Sequence, residues 1–85
     1  MRGNPTSHPL ERTMVSSLED IQALPLPDQL KGMIAGDFAA LTREGSKLPV
    51  MVSYSHRAIA GRWTALRMVR LGGDWNSRVF AISAA

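Results

Sequence analysis

The chain contains no cysteine. Disulfide staples, thiolate zinc ligands and a thiol nucleophile are therefore excluded. Cysteine-free composition also fits a cytoplasmic protein, which is the expected location. Long apolar runs are missing too. No stretch approaches the roughly 20 residues of a membrane-spanning helix, so no membrane partner is expected. The opening residues, MRGNPTSHPLERT, lack the apolar core of a secretory signal. Histidine is scarce, with only His8 and His56. His8 has no neighbouring second ligand, and no metal or cofactor is expected. Aromatic residues make up only 6% of the chain. The three largest of them, Tyr54, Trp63 and Trp75, all lie between residues 49 and 83.

Carboxylates are scarce in one half. Residues 1–41 carry a net charge of −2, and residues 42–85 carry +5, where Glu44 and Asp74 are the only acids. Such a split marks a surface suited to an acidic protein or a nucleic acid, or simply a solvated basic face. Length sets a further limit. Eighty-five residues form one small domain. Single cores below about 70–80 residues rarely supply more than 3–5 kcal/mol. Homo-oligomerisation is an expected route to further stability.

What is present suggests an α+β chain. Residues 1–15, with Gly3, Pro5 and Pro9 among polar side chains, read as a flexible tail. The body of the domain is expected over residues 16–85. Ser16 and Glu19 match the capping-box spacing, and Leu18, Ile21 and Leu24 share one helical face until Pro25 and Pro27 end the helix. A second helix starts at Pro27. Its apolar face is Leu30, Met33, Ile34, Phe38 and Leu41, and Gly45 is its left-handed C-cap. Gly32 and Gly36 leave a smooth stripe on it, fit for close approach by another element or for nothing at all.

Residues 50–55 alternate as a strand, with Val50, Val52 and Tyr54 on one face. Residues 56–61 form a loop or bulged turn. Residues 62–71 suit a strand or a helix. Gly72-Gly73 between two apolar runs favours a hairpin. The predicted fold is therefore two N-terminal helices packed on a three-stranded antiparallel meander, the alternative being βαβ with residues 56–71 helical. A two-residue turn places Arg67 opposite Arg78. Like charges directly opposed are unfavourable. Either an anion bridges them or, as the safer expectation, the loop is longer and the register differs.

The segment GRWTALRMVRLGGDWNSRVFAI, residues 61–82, resembles the C-terminal strands of cystatin-like and nuclear-transport-factor-like domains. AGDFAAL, residues 35–41, is similar to helix ends in the same superfamily. The resemblance implies a long strand, a glycine turn and a final amphipathic strand. The family spans enzymes and pure binding domains, so it implies no single function, and no catalytic residue is carried over.

No catalytic constellation is legible. His56 stands beside Ser53, Ser55 and Arg57 without an orienting carboxylate. Glu19-Asp20 point in diverging directions along a helix, and the glycine pair lacks the phosphate-loop spacing and lysine. The candidate binding residues are Arg57, Arg62, Arg67, Arg70, Trp75 and Arg78, with Arg62 and Arg70 close together near Trp75. Arginine forks grip carboxylate or phosphate, and aromatic faces stack on bases. The expectation is a non-enzymatic interaction module, an oligomeric protein-binding or accessory factor. The alternatives are a nucleic-acid binder using the same arginines and a small-ligand domain with a pocket between helices and sheet.

Overall fold

A computed structural model of the chain describes residues 10–45, 49–71 and 73–84. The element order is β1 (Glu11–Val15), α1 (Leu18–Gln22), α2 (Asp28–Arg43), β2 (Val50–Tyr54), β3 (Arg62–Leu71) and β4 (Asp74–Ser83). The strands form one antiparallel sheet in the order β1-β2-β3-β4. Both helices lie in the connection from β1 to β2 and cover one face.

The α+β class, the two helices and the β2-β3-β4 meander agree with the sequence reading. The sheet has a fourth strand, however. Residues 11–15, expected in the flexible tail, pair with β2 from Glu11↔Tyr54 to Val15↔Val50. Val15 is wholly buried. The correction has a physical reason: β2 without β1 would leave a row of backbone groups unpaired. The expectations for residues 1–9, His8 included, lie outside the described residues.

Local chemistry sets the helix boundaries. Ser17, not Ser16, is the N-cap of α1, its hydroxyl accepting from the Asp20 amide. The Asp20 carboxylate reaches back one residue beyond the N-cap, accepting from the Ser16 amide at 2.8 Å. The expected Ser16–Glu19 box is thus replaced by a Ser17 cap, with Asp20 rather than Glu19 reaching back along the chain. Lys31 of α2 donates to the Gln22 carbonyl at 3.0 Å, placing a cation at the negative end of α1. Pro27 is the N-cap of α2 rather than its first residue. Gly45 follows the helix at φ +82°, the left-handed conformation that glycine adopts without a steric penalty.

Residues 62–71 are a strand, and the helical alternative is set aside. The hairpin register is the one a two-residue turn dictates, running from Leu71↔Asp74 through Arg67↔Arg78 to Arg62↔Ser83. The longer loop expected from the arginine clash is not used. A bridging anion resolves the clash instead, and it is Asp37 of α2.

The core lies between helices and sheet. Ile21, Leu30, Ile34, Phe38 and Leu41 meet Val15, Val50, Val52, Tyr54, Ala65, Val69 and Phe80, with Trp63 and Ile82 packed at its margin. Met33, expected in the apolar stripe, is 40% exposed instead.

Candidate functional site

The sheet alternates, so each strand has a helix side and an open side. Register assigns Arg12 and Met14, Met51 and Ser53, alternate residues of β3 from Arg62 to Arg70, and Trp75 and Val79 to the open side. Met14, Met51 and Met68 lie in a row across three neighbouring strands. Met14 is 56% exposed, Trp75 62% and Val79 64%, while Met51, Leu66 and Met68 are half-buried by their neighbours. Arg12, Arg62 and Arg70 supply all the formal charge on this side of the strands, with no carboxylate among them.

Two shallow depressions mark the ends of this face. One, of about 240 Å³, is bounded by Met14, Pro49, Met51, Met68, Arg70 and Trp75. The other, of about 120 Å³, lies among Leu10, Ser53, Ser55, Ile59, Arg62, Thr64 and Leu66. The first is a methionine-walled hollow beside a cation. Unbranched, polarisable methionine adapts its shape to different apolar partners.

The six candidate residues separate into three groups. Arg70 and Trp75 sit together on the open face, the guanidinium carbon 5.2 Å from the ring centroid. Arg62 shares that face but occupies the far end of β3, so the expected proximity of Arg62 to Arg70 and Trp75 is corrected. Eight residue steps along the strand separate the two arginines, about 26 Å at the usual rise. Arg57 is exposed in the β2–β3 connection.

Arg67 and Arg78 face the helix side instead. Arg67 is 4% exposed. Its Nε donates to Asp37 Oδ2 at 2.7 Å and its Nη2 to Asp37 Oδ1 at 2.9 Å. Its Nη1 donates to the carbonyl and side-chain oxygens of Asn76. A guanidinium so enclosed is structural and is withdrawn from the candidate surface. Arg78 is exposed, lies 3.5 Å from Asp37 and sits over the Phe80 ring. Sequence reasoning found these arginines but missed Asp37, whose position on the buried margin of α2 was the available signal.

His56 does gain a carboxylate neighbour. Its Nε2 is 3.2 Å from Glu11, which the tail assignment had kept apart from it. The Ser55 hydroxyl, however, donates to the Arg57 carbonyl at 2.7 Å and is turned away from nucleophilic use. Tyr54 meets the His56 ring edge-on. The Tyr54 phenol has its pKa raised above the ordinary 10.0, first by burial and then by the negative charge of Glu11. Among the described residues, no three His, Asp or Glu side chains converge as a metal site. No described helix is long and apolar enough to cross a membrane.

A third depression, a groove of about 460 Å³, runs between α2 and β4 past Gly32, Met33, Gly36, Asp37, Ala40 and Phe80. A Cβ added at Gly32 or Gly36 would meet nothing within 4 Å. The smooth stripe therefore serves no close approach among the described residues.

No family model matches the chain, and no curated protein or solved structure matches it significantly.

Proposed function

We propose that the protein is a small non-enzymatic interaction module that binds an acidic protein partner through the open face of its sheet. The observation that carries this reading is the composition of that face: exposed and half-buried methionine, leucine, valine and tryptophan, flanked by three arginines and no carboxylate. Contiguous apolar patches on small domains mark interaction surfaces. Methionine, tryptophan and arginine are the side chains enriched at such contacts. The two ends are complementary to a segment that presents apolar side chains toward Met68 and carboxylates toward Arg62 and Arg70.

Arg70 supports protein over nucleic acid. It already covers one face of the Trp75 ring, leaving less of that ring for base stacking. A methionine-lined hollow adds nothing to a phosphate contact. Titration of the labelled protein with a synthetic amphipathic Leu/Glu peptide, observed by NMR, tests the reading. Shifts are expected at the methyls of Met14, Met51 and Met68 and at the Trp75 indole, with the helix side unmoved. A Leu/Lys peptide of the same pattern acting equally well would refute the proposal. Tighter binding of a single-stranded oligonucleotide, with steep weakening in salt, would favour the nucleic-acid reading instead.

A further inference from the structure

β4 is ten residues long and closes one side of the sheet. In an antiparallel ladder, successive residues aim their N–H and C=O alternately toward one neighbour and the other. The Ala84 amide donates to the Gly61 carbonyl at 2.9 Å, which extends the β3–β4 register by one pair. That bond fixes the alternation. Even-numbered residues of β4 address β3, and Ser77, Val79 and Ala81 address the outer edge, which no other described strand pairs with. Long edges of this kind are usually blunted by proline, bulges or charge. β4 has no proline, pairs with β3 without a bulge from end to end, and carries only Asp74 and Arg78 as charges.

The smooth stripe of α2 opens beside the same edge. Gly32, Gly36 and Ala40 line the groove whose other wall is β4, and among the described residues nothing lies within 4 Å of a Cβ built at Gly32 or Gly36. One occupant accounts for both features. We infer that two copies of this chain pair through β4 in antiparallel fashion, forming a continuous eight-stranded sheet with the two α2 helices facing each other across the dyad.

Charge selects this edge over the open face. Stacking two open faces would bring three arginines toward three arginines. At the β4 edge the one basic side chain, Arg78, already has Asp37 beside it. Charge also selects the register. A dyad near the middle of β4 passes through Arg78 or Val79. The first opposes Arg78 to its own copy, which is unfavourable. The second pairs Val79 with Val79 of the other copy, Ser77 with Ala81, and Arg78 with Phe80, the ring type it already covers within its own chain. A strand edge is complementary to itself under a two-fold axis, so the contact closes at two copies. The inference is independent of the partner proposed for the open face, and it would merge two such faces into one.

Sedimentation at micromolar concentration tests it on the intact chain, together with two variants. The wild type should sediment at twice its 9.3 kDa. Gly36→Lys adds a side chain where no described residue lies within 4 Å of its Cβ, and should raise the dimer dissociation constant at least ten-fold while circular dichroism is unchanged. Val79→Pro removes an edge-facing amide that the β3 ladder does not use, and should do the same. Hydrogen exchange on the wild type needs no variant: the Ser77, Val79 and Ala81 amides should be protected at high concentration and exchange freely on dilution. A monomeric wild type, a dimer that survives either folded variant, or exchange at these amides that ignores concentration overturns the inference.

Discussion

Asp37 is the residue on which the register turns. Two arginines directly opposed on neighbouring strands would repel, yet the hairpin keeps them opposed because a carboxylate from α2 reaches the pair. Removing one partner of a buried ion pair leaves the other charge without compensation, at a cost of about 3–5 kcal/mol. Asp37→Ala should therefore lower the unfolding free energy by about that amount, read from urea melts. The combined Asp37→Leu and Arg67→Met variant should lose much less, since an apolar pair removes both charges together. Equal losses in the two variants would show that packing, not charge, decides the site. Tyr54 gives a second prediction. Its pKa is raised in the folded state, so the unfolded chain releases the phenolic proton first as pH rises. Stability is then fully present below pH 10 and falls above it. Urea midpoints between about pH 8 and 11 should drop in the wild type more than in Tyr54→Phe. Parallel curves would exclude Tyr54 as the cause.

At the scale of elements, β1 is the one that changes the picture. Five residues with mixed charge carry little strand signal alone, but Val15 is wholly buried and Thr13 is partly covered. Deleting residues 2–15 should cost at least the burial of one valine, about 1.5–3 kcal/mol, and expose the outer edge of β2. Urea denaturation of the truncated chain measures this, and an unchanged midpoint would show that β1 is dispensable. The β2–β3 connection is a second local feature. Ala60 and Gly61 both take positive φ, at +54° and +76°, between mutually hydrogen-bonded Ile59 and Arg62. That geometry is a type I′ turn, with alanine where asparagine is usual.

Across the whole molecule, the helices partition the basic charge. Arg67 is drawn under α2, and Arg62 and Arg70 remain on the open side. The latter two are exposed, and exposed charges add little to stability. Arg62→Gln with Arg70→Gln should leave the melting temperature unchanged and weaken acidic-peptide binding by about 1–3 kcal/mol. A double variant that unfolds would make these arginines structural. One that binds as before would make the patch a solvated surface.

Several features were legible in the residues themselves. The helical spacing from Leu30 to Leu41, the left-handed glycine at Gly45, the alternation in β2 and the glycine turn that makes β3 and β4 a hairpin all rest on chemistry between near neighbours in the chain. Periodicity and turn preference act locally, so a sequence carries them openly. Other features required elements distant in the chain to meet. β1 became a strand because β2 offered it backbone partners 35 residues or more along the chain. Arg67 left the candidate surface because Asp37, 30 residues earlier, arrived over its strand. Alternation placed Arg67 on the face of Ala65 and Val69, but only the packed helix supplied the carboxylate that makes a buried guanidinium tolerable there. Charge and spacing assembled the cluster of arginines, and tertiary packing decided which of them remain available to bind.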